Sequence, residues 1–182
     1  MKRNKHTKPK VTSINLKLFL SVLIMLVVSA NSFSQTSKGL WMVGGDLGFN
    51  NYEGQTSLYL VASGGRLLTN HLGAGVSLDF SSRFSDWADS YGTGLFPYVR
   101  YYIGSSRTQP LLLAYAGYGY RYYESKGNFS DFNDSSWDFY WHVGAGVSHF
   151  LNKNAAIEGI LRYRESFSIS FGFQIFFGRT KD

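Results

Sequence analysis

The chain contains no cysteine, only three prolines, and no long apolar run after residue 28. Without cysteine there is neither a disulfide framework nor a thiol for a lipid anchor. Without a later apolar run, no helix of the mature chain can cross a bilayer. Few prolines leave long stretches free to pair as strands. Acidic residues are also missing from the first 34 positions, which carry Lys2, Arg3, Lys5, Lys8, Lys10 and Lys17. The formal charge of +6 is therefore local, since the rest balances twelve basic against twelve acidic residues. A basic surface for nucleic acid is excluded, and no nucleic-acid partner is expected.

What the first segment does contain is a cationic stretch, the apolar run LFLSVLIMLVV over 18–28, and the small, polar SANSFSQ. Eleven helical residues would span only about 17 Å, against a bilayer core of about 30 Å. These features predict a cleaved signal peptide over 1–34, with Ser32 and Ser34 at the small-residue sites and Gln35 as the new N-terminus. Residues 35–182 then form one exported domain.

That domain is rich in glycine and in aromatic residues, which make up 18% of the whole chain. Its pattern alternates with a period of two, as strands with two unlike faces do. Strands are predicted at roughly 40–49, 56–68, 71–81, 92–104, 109–124, 136–150, 154–164 and 167–177. The last sets Ile169, Phe171, Phe173, Ile175 and Phe177 against Ser168, Ser170, Gly172 and Gln174. The sixth sets Trp137, Phe139, Trp141, Val143 and Val147 against Asp138, Tyr140, His142, Gly144 and Ser148. In the seventh, Ile160 breaks the alternation, and the second and fifth have no readable phase. Tight turns at 69–70, 105–108 and 152–153 alternate with longer breaks around 82–91 and 125–135. An even strand count with short turns at one end and loops at the other predicts an eight-stranded, antiparallel, up-and-down transmembrane barrel. Both termini then lie at the periplasmic end.

A soluble eight-stranded barrel would point its apolar face inward. Three features favour the inverse. The polar faces carry glycine and serine, which suit the crowded interior of a narrow barrel, rather than lysine and glutamate. The strand charges come in both signs, with Asp46, Asp79, Asp138 and Glu158 against Arg100, Arg162 and Arg164. Buried charges must be paired, so these seven are expected to form an ion-pair network in the lumen. Finally, Trp41, Trp87, Tyr91, Tyr122, Tyr123 and Trp137 fall near strand ends, where aromatic girdles meet the membrane surface.

The segments WMVGGDLGFN, HLGAGVSLDF, VGAGVSHFLNKNAAIEG and SFGFQIFF, with Pro97-Tyr98-Val99-Arg100-Tyr101-Tyr102, resemble the small outer-membrane β-barrel domain proteins of Bacteroidota. The resemblance runs from about Gly39 to Phe177. It implies an integral outer-membrane location and little chemistry. It also implies that Phe173, Ile175 and Phe177 form the assembly signal read by the barrel insertion machinery. Here GRTKD follows, so that signal is internal.

Chemistry is sparse. His142 with Ser148 or Asp138 supplies the residue types of a lipid A-modifying enzyme, but residues 142 and 148 lie about 20 Å apart on one strand. His142 is better read as lumen packing. Asp86 with Asp89, and Asp131 with Asp134, lack a calcium-loop pattern. The GAGVS and GYGY pieces precede no helix, so they are not phosphate cradles. No catalytic residue, metal or cofactor is expected. The expected partners are outer-membrane lipid, lipopolysaccharide and the insertion machinery, with the protein itself a monomer. An interior filled by side chains argues for a structural or surface-interaction role. A narrow porin-like channel is the alternative.

Overall fold

The computed structural model describes residues 36–52, 55–84, 88–125, 133–164 and 166–178. The expected signal peptide over 1–34 lies outside the described residues, as do Asp86, Trp87 and Asp131. Eight strands follow in chain order: β1 (Trp41–Tyr52), β2 (Gln55–Leu67), β3 (Leu72–Phe84), β4 (Ala88–Tyr102), β5 (Thr108–Ser125), β6 (Asn133–Asn152), β7 (Ala155–Tyr163) and β8 (Phe167–Phe177). Each pairs antiparallel with the next, and β8 returns to β1 with Met42 opposite Phe176 and Phe49 opposite Ile169. The ring is closed.

Alternation sets which face points outward. On β8, Ile169, Phe171, Phe173, Ile175 and Phe177 are exposed on the outer wall, Phe171 to 65%. Ser170, Gln174 and Phe176 are buried inside. On β3, Val76, Leu78 and Phe80 face out while Ser77 is buried. A barrel with an apolar exterior and polar residues within is the inverse of a soluble one. The two strands without a readable phase are now explained. β5 buries Leu111, Leu113 and Tyr115 and exposes Leu112 and Tyr118. β2 buries Val61 and Leu67 and exposes Leu58 and Leu60. Both faces are apolar, so hydropathy carries no alternation. Ile160 likewise belongs to the interior, where it is buried beside Tyr98 and Leu113 in one cluster.

Two irregularities have local causes. Pro97 lies in mid-strand with no N–H to give, and the β4–β5 ladder breaks there, resuming at Leu95 opposite Tyr118 and Tyr98 opposite Tyr115. The register of β6 against β7 shifts between Phe150 and Asn152, where Leu151 turns outward as an exposed bulge residue.

The three short turns and the ordered N-terminal residues share one end of the barrel, called here the near end. Thr69 Oγ1 accepts the amides of His71 and Leu72 in the β2–β3 turn. The Thr36 hydroxyl donates to the Asn70 carbonyl of the same turn, and Gly39, at φ +92°, donates its amide to Leu67. At the far end the strands reach further than the alternation implied. The strands run into the breaks predicted around 82–91 and 125–135: β3 continues to Phe84, β4 starts at Ala88, β5 ends at Ser125 and β6 begins at Asn133. Polar residues on both faces hid these extensions.

Trp41, Tyr91 and Trp137 stand on the outer wall near strand ends, Trp137 being 70% exposed. Tyr123 is a correction: it faces the lumen side, where its hydroxyl accepts from Arg121 at 2.8 Å. Tyr122 is half-buried.

A paired substitution tests the facing. A Cβ at the inward Gly75 would collide with the Gly64 carbonyl and the Tyr98 hydroxyl, whereas one at the outward Gly64 would meet nothing within 4 Å. Gly75→Leu is expected to abolish most of the heat-modifiable gel species, since overpacking costs about 1–3 kcal/mol or more. Gly64→Leu should leave that species at wild-type yield.

Candidate functional site: the lumen and its far-end chamber

The interior has three levels. At the near end an apolar plug of Met42, Leu67, Leu111, Phe150 and Phe176 is fully buried. Its rings are close, with Phe150 and Phe176 centroids 5.3 Å apart and Tyr102 to Phe176 6.1 Å. Such contacts shut this end of the lumen to water.

Above the plug lie two ion pairs. Arg100 (3% exposed) and Glu158 (6%) meet at 3.3 Å. The same guanidinium donates to Gln174 Oε1 at 2.7 Å and to the Tyr102 hydroxyl at 3.0 Å. Glu158 also accepts from Ser148 Oγ at 3.3 Å. This cluster joins β4, β6, β7 and β8. Arg162 (4%) binds Asp46 (8%) in a bidentate fork of 2.5 and 2.6 Å. It donates further to Ser170 at 3.0 Å and to the Tyr115 hydroxyl at 3.3 Å, joining β1, β5, β7 and β8. The planar guanidinium fork matches a carboxylate as a lysine could not. Aromatic faces complete both sites: Arg100 lies 5.3 Å from the Tyr98 ring, and Arg162 lies 5.6 Å from Tyr59 and 5.5 Å from Tyr115. Each buried guanidinium thus has a counter-charge, further hydrogen bonds and a ring, the conditions under which burial is tolerable.

The third level is a chamber at the far end, about 1050 Å³ with the open space at its mouth included. Asp79, Phe96, His142 and Arg162 line it together with Arg83, Arg121, Arg164, Tyr59, Tyr140 and many serines. Asp79 is half-buried and accepts from Ser77 at 2.9 Å. Asp138 is exposed at the rim, where Ser136 and Tyr140 donate to it at 2.7 and 3.0 Å. Arg164 stacks 3.7 Å above the Tyr140 ring.

The seven charges grouped by sequence therefore separate. Arg100–Glu158 and Arg162–Asp46 are buried pairs, while Asp79, Asp138 and Arg164 belong to the chamber. Sequence reasoning passed over Tyr102, Tyr115, Ser148, Ser170 and Gln174 as partners of the pairs. Gln174 carried a signal, being the one long polar residue on the lumen face of β8. His142 is held edge-on to the rings of Phe96 and Tyr115, at 5.8 and 6.4 Å. His149 pairs with the Thr108 hydroxyl at 2.8 Å. Among the described residues no three His, Cys, Asp or Glu side chains gather as metal ligands would. Phe173, Ile175 and Phe177 stand in a row on the outer face of β8.

The family model for the outer membrane protein beta-barrel domain matches residues 20–178. Among solved structures the chain is similar to Neisserial surface protein A, at 15% identity, over 76% of this chain and 96% of that one, with a TM-score of 0.54. It is similar to the outer membrane protein OprG from Pseudomonas aeruginosa, at 12% identity, over 81% and 100%, with a TM-score of 0.53. A de novo designed transmembrane β-barrel matches at 13% identity, over 78% and 98%, with a TM-score of 0.50. At such identities these likenesses speak for the fold. Among curated proteins none matches.

Removing one partner of a buried pair leaves the other charge stranded, at a cost of about 3–5 kcal/mol. Asp46→Leu alone and Arg100→Leu alone should each lower the urea midpoint of the barrel refolded in lipid vesicles. The double change Asp46→Leu with Arg162→Met should recover most of the first loss. Unchanged midpoints and unchanged heat-modifiable mobility in both single variants would show that the pairs are not structural.

Proposed function

Given that the chain belongs to the outer membrane protein beta-barrel domain family, and so is an integral outer-membrane protein, we propose that its role is non-enzymatic. The barrel would support the envelope and present its far, outer end to lipopolysaccharide or another surface partner. The observation that carries this reading is the filled lumen. Below the chamber the plug residues Met42, Leu67, Leu111, Phe150 and Phe176 and the two ion pairs are buried in the lumen, which supports an interior packed with side chains. The alternative, a narrow channel for small solutes, needs water to pass Phe150, Phe176 and Met42, all fully buried. A lipid-modifying enzyme needs a nucleophile and a base in hydrogen-bond reach, whereas the His142 ring packs against two aromatic rings.

Refolded protein in planar bilayers should show no stepwise conductance, and the lipid A mass spectrum should be the same with and without the protein. Regular conductance steps would favour the channel, and a mass shift of one acyl chain would favour the enzyme.

The assembly role proposed for Phe173, Ile175 and Phe177 rests on their row of rings and branched side chains on the outer face of β8. Replacing Phe173 and Phe177 with serine should slow insertion by the reconstituted machinery while leaving unassisted folding in detergent nearly unchanged. Equal slowing in both settings would assign the residues to barrel stability alone.

A further inference from the structure

The two ends of the barrel differ in the sign of their surface charge. At the far rim Asp89, Glu124, Asp134 and Asp138 stand among Arg83, Arg121 and Arg164, so both signs are present. At the near end the exposed charges among the described residues are Lys38, Arg66, Arg107 and Lys153, all cationic. The carboxylates of the lower barrel among those residues, Asp46 and Glu158, are buried and already paired with Arg162 and Arg100.

Arg66 stands on the lipid-facing side of β2. The strand register sets it opposite Trp41, which in turn lies opposite Phe177 of β8. Both rings are exposed on the outer wall, and aromatics so placed mark the membrane interface. Long basic side chains there bury their stems against apolar surface and hold their charge at headgroup level. The Arg66 guanidinium carbon is 5.5 Å from the centre of the Trp41 ring, and its Nε donates to the Gly39 carbonyl at 3.1 Å. That leaves the fork of its terminal nitrogens, the part that matches a phosphate, for a ligand outside the chain. Lys38, exposed and adjacent to Gly39, adds a second charge. Its amide donates to Asn70 Oδ1 at 2.9 Å, and the Gly39 amide donates to the Leu67 carbonyl at 2.8 Å. The backbone carrying both cations is thus fixed before any ligand arrives, which lowers the ordering cost of binding.

A second pair lies across the ring, where β5 meets β6. Arg107 donates to the carbonyls of Phe150 and Leu151 at 2.8 and 3.3 Å. Those partners are neutral, so its charge stays uncompensated. Leu151 is the outward bulge residue, and the exposed Lys153 follows it in the β6–β7 turn. An arginine held by backbone carbonyls, a neighbouring lysine and an exposed apolar side chain recur here as they do beside Trp41.

We propose that Lys38 with Arg66, and Arg107 with Lys153, bind the headgroup phosphates of anionic phospholipid in the periplasmic leaflet. The short-turn end of such a barrel is the periplasmic one. A zwitterionic headgroup brings its own ammonium to the same place, so an anionic headgroup is preferred. Each basic residue at an anionic lipid surface raises affinity about fivefold. This rests on the outer-membrane reading above and gives the end opposite the proposed surface role a ligand of its own.

The test uses the full barrel in bilayer discs of phosphatidylcholine, with and without added phosphatidylglycerol, read by NMR. Phosphatidylglycerol should shift the amides of Lys38, Trp41, Arg66, Arg107 and Lys153 and leave those of Ser90 and Ser135, at the far rim, in place. In Lys38→Gln with Arg66→Gln the affinity read at Trp41 should fall at least about tenfold, while the response at Arg107 persists. Heat-modifiable mobility verifies that the variant is folded. If it is not, the wild type keeps the test open, because about 1 M salt shortens the screening length to about 3 Å and should erase the shifts. Shifts spread evenly over both rims, shifts that survive high salt, or an unchanged Trp41 response in the folded variant would overturn the proposal. Equal shifts from glycerol 3-phosphate dissolved beside plain phosphatidylcholine discs would also overturn it, since the cations would then take any small phosphate. None of these outcomes alters the conductance or lipid A results, so the two readings fail separately.

Discussion

Everything in this molecule follows from the fact that hydrocarbon offers no partner to a backbone amide. An unpaired N–H or C=O there costs several kcal/mol, so a strand can cross only if both of its edges are matched. The β1–β8 ladder, from Trp41 opposite Phe177 to Phe49 opposite Ile169, meets that demand by closing the ring. Closure with eight strands then dictates the interior, because the resulting tube is just wide enough for side chains to fill. The exterior must be apolar and the interior must be packed, and these two demands select opposite residues at alternate positions.

Filling a narrow tube with polar residues raises a second demand, that each buried charge be answered. The barrel meets it unevenly along its axis. The near end avoids the problem with an apolar plug around Phe150 and Phe176. The middle uses two arginines, each with a carboxylate, neutral hydrogen-bond partners and an aromatic face. Both arginine clusters reach across several strands, so they set the relative register of elements distant in sequence as well as filling space. The far end relaxes the demand by opening to solvent, where Asp138 stands exposed at the rim. This gradient from a buried apolar plug to an open, polar chamber gives the two ends of the barrel different properties.

The outer wall was the most legible part of the sequence. β3, β6 and β8 alternate cleanly because one face meets lipid and the other holds glycine, serine and glutamine. β2 and β5 could not be phased because their inward residues, such as Val61, Leu111 and Leu113, belong to apolar layers of the lumen. A strand apolar on both sides has no period to read. The ends of β3 and β6 were hidden for the opposite reason, being polar on both sides above the membrane. Asp46, Arg100, Glu158 and Arg162 could be placed on the lumen face in advance, since charges on strands of a membrane barrel have few other places to go, whereas Arg83 and Arg121, which line the chamber, were passed over. The pairing of the buried charges could not be read, because the match of Arg162 with Asp46 rather than Asp79 depends on the stagger of strands around the ring. Tyr123 was misplaced by the same limit: proximity to a strand end does not say which face a residue takes.

The central claim is a closed and dry lower lumen, and hydrogen exchange read residue by residue by NMR in detergent tests it most directly. Amides along β1 and β8, including Met42, Asp46 and Phe173, should be protected as strongly as those of β3 and β4. The guanidinium protons of Arg100 and Arg162 should exchange slowly, while those of Arg83 are lost at once. Rapid exchange along the β1–β8 seam, or at both buried guanidiniums, would mean an open or water-filled barrel and would contradict this account.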